Sequence, residues 1–510
     1  MGTENSHNRE NGGISAAINR LSTGIEGLDK VLEGGLPECN IYLVEGEPGS
    51  GKTTLALQFL LEGIKRGETV LYVTLSETKL ELENVAAAHG WSLEDLNIYE
   101  LVPSGDALKS ESQYTIFHPS EVELNELTSA VLQEVERINP KRVIFDSLSE
   151  MRLLARDPLR YRRQILALKQ YFAPRATTVL LLDDKTSNIV DLQVSSIVHG
   201  VLILEHLALE YGAERRRLRV SKLRGSRFSG GYHDFNIETG GVRVFPRLVS
   251  AEHVQNTNQE TVKSGIAGLD ELLGGGLDRG TSTLIIGPAG SGKSSVAAQF
   301  AVSAAANDEN AAVFIFDEIR ETYIARAIGI GTELQQYLDK GSVTIQQVDP
   351  AELSPGEFAY SILESVERNK TKVVVIDSLN GYMNAMPEER FLTIQMHELL
   401  TYLNRQGVIT ILIMAQHGFL GNAMTSPVDV SYLADTVLML RYFESGGAVR
   451  RALSVVKKRT GAHESTIREM GISSDGIRVG KALTDFHGVL TGVPTYSGKD
   501  IFVSDFNADE

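Results

Sequence analysis

One pattern occurs twice in this chain. The stretch STGIEGLDKVLEGGL from Ser22 returns from Ser264 as SGIAGLDELLGGGL, and each copy leads through an apolar run into a glycine-rich loop, GEPGSGKT over Gly46–Thr53 and GPAGSGKS over Gly287–Ser294. The interval between the loop lysines, Lys52 and Lys293, far exceeds the ~20–50 residue period of a solenoid. The repeat is therefore a duplicated domain. At a soft prior of roughly 150 residues per domain, the 510 residues allow about two to four domains with large cores.

Within each copy, short apolar runs alternate with helix-length amphipathic or polar segments. The strand candidates are NIYLVEG, TVLYVTL, RVIFDSL, TVLLLDD and GVLILEH in the first copy, and TSTLIIG, AAVFIFD, KVVVIDS, VITILIM and DTVLMLR in the second. Their near-continuous Val, Ile and Leu content suits strands buried on both faces. The alternation predicts an α/β fold, two tandem domains that are each a largely parallel sheet flanked by helices. A ligand is expected at the carboxyl ends of such strands. The expected boundaries are a flexible N-terminus over 1–18, a first domain over 19–246, a linker over 247–262, a second domain over 263–487 and an irregular tail over 488–510. The linker is placed where RLVSAEHVQNTNQETV loses apolar periodicity and gains Asn, Gln and Glu.

Charge and cysteine content narrow the function classes. Against 49 Lys+Arg stand 66 Asp+Glu, a formal charge of −17, so a broad electropositive footprint for nucleic acid is not expected. The single cysteine, Cys39, rules out an internal disulfide and a Cys-rich zinc site and fits a reducing compartment. No apolar run follows the polar start MGTENSHNRENGG, and no window approaches ~18 uninterrupted apolar residues. The expectation is a cytoplasmic, soluble chain with no membrane partner.

GxxxxGK[ST] following a predicted strand and preceding a predicted helix is the context of a P-loop. Glycines at Gly46, Gly49, Gly51, Gly287, Gly290 and Gly292 let backbone N–H groups turn around phosphate oxygens, with the positive end of the next helix behind them. Ser50, Thr54, Ser291 and Ser295 complete the two nucleotide-contacting loops. Lys52 and Lys293 reach β and γ phosphates, and Thr53 and Ser294 offer hydroxyls to Mg²⁺. The competing reading, a tight glycine turn with no ligand, has to explain two hits in matching context. Further along, RVIFDS and KVVVIDS put Asp146 and Asp377 at strand ends, where a carboxylate holds the water shell of Mg²⁺. The implied cofactors are ATP and Mg²⁺.

A third acidic position follows the second strand of each copy, with Ser76–Glu77 in LYVTLSET and Asp317–Glu318 in FIFDEIR. Glu77, Asp317 and Glu318 are candidates to orient or deprotonate a nucleophile, a solvated strand end being the alternative. Late in each copy come SKLRGS, with Lys222 and Arg224, and VKKRTG, with Lys457 and Arg459. These charges can serve a phosphate in cis or from a neighbouring subunit, or simply solvate an edge strand.

The duplicated STGIxGLDxxLxGGL, the two P-loops, the acidic strand ends, the IDS strand and the KxRG element resemble the KaiC family of double-domain RecA-like ATPases, from about Asn19 to Ser497. The resemblance implies two RecA-like P-loop NTPase domains, a nucleotide-dependent double-ring homo-hexamer with ATP between neighbours, and a first ring that is mainly an ATPase. It implies a second ring that phosphorylates its own chain, a serine/threonine autokinase, and partners of the KaiB type or a signalling histidine kinase. In DVSYLADTVLMLRYFE the family's phosphorylated Ser-Thr dipeptide is Ser431-Tyr432, and Ser426 stands where the family has another hydroxyl. Ser76 and Asp317 replace the first glutamate of each acidic pair, and Thr460 replaces the glycine of the second KxRG element. These departures point to a homologue outside the core cyanobacterial oscillator. A RecA- or helicase-like DNA motor and a nucleotide-gated scaffold are the alternatives, the first opposed by the charge and by the lack of a basic, aromatic single-strand groove.

Overall fold

The structure is a computed structural model that describes residues 19–101, 119–155, 157–185, 192–209, 211–249, 260–384, 392–416, 433–490 and 495–496. The chain divides into two compact units, one of Met1–Leu209 with Glu214–Arg247 and one of Glu210–Ala213 with Leu248–Glu510.

Each unit is built on a nine-stranded sheet of the same topology. In the first, the order across the sheet is Gly241–Phe245, His233–Glu238, Arg215–Leu223, Gly200–Leu207, Ile41–Gly46, Thr178–Asp184, Arg142–Asp146, Val70–Thr74 and Asn97–Glu100. The six strands from Gly200–Leu207 to Asn97–Glu100 are parallel, and the other three are antiparallel. The second sheet runs Gly476–Ala482, Ile467–Ser473, Ala448–Lys458, Thr436–Ser445, Ser282–Gly287, Ile409–Ala415, Thr371–Asp377, Asn310–Ile315 and Val343–Gln347. In both, the strand that feeds the glycine loop lies between strands that come much later in the chain. That is the switch point at which α/β sheets bind ligands.

The apolar runs are continuous because alternate residues serve two cores. Tyr42, Val44, Tyr72, Ile144 and Leu180 pack under the helices Lys52–Lys65 and Lys79–Ala88, while Leu43, Val73, Val143, Phe145 and Leu181 pack under Pro119–Ile138 and Pro158–Phe172. The second unit repeats the division, with Ile285, Val313, Val375 and Ile411 on one face and Leu284, Phe314, Val374 and Leu412 on the other. This two-sided burial is what covers a parallel sheet with helices.

The apolar runs mark only the buried strands. Asn97–Glu100, Val343–Gln347 and the antiparallel strands of each unit have mixed or exposed patterns, which an apolar-run criterion misses. Thr261–Val262, within the stretch read as linker, pair with Leu277–Asp278. Val489, within the stretch read as tail, is buried against Phe443 and Ala452. Among the described residues no helix is long and apolar enough to cross a membrane.

Candidate active site

Both glycine loops lead into helices whose first turn has no side-chain cap, Lys52–Lys65 and Lys293–Ala306. The N–H groups of that turn have no intrahelical acceptor, so they form a ready anion site. Gly51 and Gly292, at the helix N-caps, adopt left-handed conformations with φ of 94° and 102°. A Cβ at either would meet the Cδ1 of Ile237 or Ile472, at 2.6 and 2.5 Å. Only glycine serves there. The side-chain oxygens of Ser50 and Ser291 are buried without a hydrogen-bond partner, and Thr54 and Ser295 are buried in the first helical turns.

In the first unit, Lys52 Nζ donates to the carbonyls of Gly46 and Glu47, at 3.0 and 2.9 Å, and pairs with Asp184 at 2.8 Å. Thr53 Oγ1 donates to Asp146 Oδ2 at 3.3 Å, and the Tyr72 hydroxyl donates to the same oxygen. Burial raises the proton affinity of Asp146, opposed by the Tyr72 hydrogen bond. Glu77 is turned into the site by its backbone N–H, which donates to Thr74 Oγ1 at 2.9 Å. Its Oε2 is buried without a hydrogen-bond partner. Desolvation first, and then the charge of Asp146, push the Glu77 carboxyl up to about 7. Ser149 donates to Asp184 Oδ2 at 3.0 Å, and Arg152 pairs with Asp183.

The second unit uses the same positions with different chemistry. Lys293 Nζ donates to the Pro288 carbonyl at 2.8 Å, and burial draws its ammonium down to about 8, the charge of Asp377 working the other way. The residue in register with Asp184 is Ala415, since Gly46 faces Asp184 and Gly287 faces Ala415 across the neighbouring strand. Asp377 interacts with the Ser294 hydroxyl, and burial above all pushes its carboxyl up to about 6. Val313 occupies the strand position of Tyr72, while Tyr323, from the helix Arg320–Gly329, is fully buried beside Asp377. Asp317 accepts from the Ser378 hydroxyl. Glu318 is held by Arg326 through two contacts, Nη1 to Oε2 at 2.8 Å and Nη2 to Oε1 at 2.7 Å.

The basic pairs lie at the other end of each sheet. Lys222 is in register with Val201 and Lys457 with Val437, at the beginning of strands whose far ends flank the glycine loops. Lys222 Nζ donates to the carbonyls of Ser195 and Val198 at 2.6 and 2.8 Å, and Arg224 to that of Ser196 at 2.8 Å. Lys457 donates to the Ala434 carbonyl at 2.7 Å, and Arg459 pairs with Asp435 at 3.4 Å. Three strand residues at ~3.3 Å each separate these positions from the loop end of the sheet. Their side chains are engaged at that end of the sheet and not at the loop of their own unit. Ser426, Ser431 and Tyr432 lie outside the described residues.

Asp184, Tyr72, Tyr323 and Arg326 were not among the sequence candidates. The DD at the end of TVLLLDD was the one available signal, since Asp184 repeats the strand-end placement of Asp146.

The family model described as "ATPase: KaiC" matches residues 21–249 and again 262–484. The chain belongs to the KaiC family. It is 26% identical over 486 residues to the circadian clock protein KaiC3 of Synechocystis sp., covering 94% of this chain and 96% of that protein. The circadian clock oscillator proteins KaiC of Parasynechococcus marenigrum and Parathermosynechococcus lividus are 27% and 28% identical, covering 95% and 94% of this chain and 94% and 88% of theirs. At such identities it is a divergent member, with two KaiC ATPase units that bind nucleotide.

The residues present fit Mg-ATP. Uncapped helix N-termini and the buried, unpartnered hydroxyls of Ser50 and Ser291 suit phosphate oxygens. Thr53 with Asp146, and Ser294 with Asp377, suit a cation that takes one hydroxyl, one carboxylate and phosphate oxygens.

Proposed function

We propose that this KaiC-family chain is a two-site Mg-ATPase of a signalling or clock system, working as a double-ring hexamer whose second unit phosphorylates its own chain at Ser431. The observation that carries this reading is the meeting, in both units, of the P-loop lysine, a cation-binding hydroxyl, a strand-end aspartate and a loop glutamate at the carboxyl end of the sheet. Lys52 and Lys293 hold the β and γ phosphates. Thr53 with Asp146, and Ser294 with Asp377, would hold a Mg²⁺ that would offset charge on the phosphate oxygens. In the first unit Glu77 takes a proton from water as the water oxygen bonds to the γ phosphorus and the bond to ADP breaks. A carboxyl poised near 7 is an efficient base at neutral pH. In the second, the acceptor is the Ser431 hydroxyl, with Asp317 as the base.

Lys222, Arg224, Lys457 and Arg459 serve the nucleotide of a neighbouring subunit, which makes ATP part of the interface. By analogy with the relatives, a KaiB-type protein or a histidine kinase is the expected partner and the cytoplasm the expected compartment.

Incubation with γ-labelled ATP and Mg²⁺, followed by peptide mapping, tests this reading. Label on the peptide that carries Ser431, together with free phosphate, is the expected result. Free phosphate alone reduces the protein to an ATPase, and neither product leaves a nucleotide-gated scaffold. Light scattering at micromolar protein is expected to show rings with ATP, and a monomer under those conditions would overturn the assembly.

A further inference from the structure

A site that passes phosphate to its own chain must not lose it to water, and the two units differ at the residue that decides this. In the first unit, the helix Lys79–Ala88 carries Val85 eight residues after Glu77, packed against the core. Nothing cationic from that helix meets Glu77, and its Oε2 is buried without a partner. In the second unit the same step along the helix Arg320–Gly329 is Arg326, whose guanidinium takes both oxygens of Glu318. The pair is partly sheltered, with side-chain exposures of 37% for Arg326 and 20% for Glu318, and the guanidinium also lies 5.0 Å from the centroid of the Tyr323 ring. A fork on a carboxylate fixes its plane and occupies the lone pairs that would otherwise accept a proton from water.

We propose that Arg326 is a positioning residue that sets acceptor choice at the second site, clamping Glu318 away from water so that the phosphoryl group goes to a hydroxyl of the chain. The inference rests on the functional reading above. Transfer to the hydroxyl forms an O–P bond, breaks the bond to ADP and delivers the hydroxyl proton to Asp317. Hydrolysis would need Glu318 to leave Arg326 and take a proton from water. Asp317 stands apart from the clamp, since its carboxylate accepts from Ser378, whose Oγ in turn accepts from the Gly381 N–H at 3.2 Å. The feature belongs to this unit alone: an apolar residue at the step of Arg326 leaves the first unit's glutamate unclamped.

The test uses the full chain with Lys52→Ala, which silences the first site, and reads free and protein-bound phosphate separately. Arg326→Gln is expected to raise free phosphate release at least fivefold, in kcat and not KM, and to lower bound phosphate in step. Arg326→Lys, which keeps the charge, is expected to restore most of the restraint, a rescue that a merely structural role would not give. Adding Glu318→Gln to Arg326→Gln is expected to cancel the gain. Release that is unchanged or lower in Arg326→Gln, with nucleotide still bound, would overturn the clamp. So would a tenfold loss in Glu318→Gln alone, which needs no stable Arg326 variant. If the Lys52→Ala parent binds no nucleotide, the functional reading of the second unit fails instead. If the parent binds and releases phosphate but carries none on its chain, the autokinase reading fails while the release rates still judge the clamp.

Discussion

The two units share one topology and one loop, and they spend their charges differently. The first surrounds its lysine with carboxylates: Lys52 is paired with Asp184, and burial with the charge of Asp146 pushes the unpaired Glu77 up to about 7. The second gives its lysine no such partner at the equivalent register, where Ala415 stands, and engages both loop acids, Asp317 with Ser378 and Glu318 with Arg326. A duplicated fold thus keeps the glycine loop and varies how the carboxylates around it are engaged. Geometry conserved by the backbone is compatible with opposite chemistry, because one helix position or one strand end is enough to reassign a carboxylate.

The largest effects expected are those that erase a site. Lys52→Ala and Lys293→Ala should each remove about one bound nucleotide per chain, and unchanged stoichiometry in either would end the two-site description. Next comes Glu77→Gln, expected to cut phosphate release from the first unit by about 10²–10³, within the usual range for a general base, with nucleotide binding retained. With the second site silenced by Lys293→Ala, release should rise with pH through about 7, since the deprotonated carboxylate is the active form. A flat profile would mean that the two units are more alike than their carboxylates suggest. Asp184→Ala should tighten nucleotide binding at the first site by roughly three- to tenfold, an effect of the size of a partly exposed ion pair. The phosphates would no longer have to displace a carboxylate from Lys52, and Ala415→Asp should weaken the second site in the same measure.

The smallest expected contrast is one of stability. His233 is buried, donates through Nε2 to the Ser229 carbonyl, and accepts the Arg247 N–H at Nδ1, so it is held neutral and burial lowers its pKa to about 4. The unfolded chain takes up this proton first as pH falls. The contribution is therefore complete above about 6.5 and lost between there and about 4, at most about 3 kcal/mol. Hydrogen exchange should accordingly show the first unit loosening from pH 7 to pH 5, a loss that His233→Gln reduces. In the second unit Arg468, paired with Glu464 and Glu271, stands opposite Leu453 as His233 stands opposite Leu218, and has no such window.

Much of this was legible in the amino-acid sequence. The duplication, both P-loops and the strand-end acids Asp146 and Asp377 depend on local spacing, and spacing is what a sequence displays. Glu77 and Glu318 looked equivalent for the same reason. What separates them is a side chain eight residues on, and Arg326 in RETYIARAIG reads as the solvated face of an amphipathic helix until the helix is docked. Asp184 was hidden in a strand end. Tyr72 looked like a core aromatic, because an aromatic in an apolar run does not announce that its hydroxyl meets a carboxylate. That Lys222 and Arg224 lie at the end of the sheet away from the glycine loop was likewise unreadable, since it follows from strand polarity across the sheet and not from their distance along the chain.

That polarity has a further consequence. With the phosphate loop at one end of each sheet and the basic pair at the other, the trans role proposed for that pair makes a subunit offer half of two different sites and complete neither. Any contact that joins the halves is head-to-tail, and such an interface either closes on itself or keeps adding subunits. In a closed ring the number of complete sites equals the number of subunits, whereas an open row of the same length is always one short. Turnover per chain should then climb with protein concentration and level off only when the last gap is sealed, so that the enzyme counts its own copies before it works at full rate.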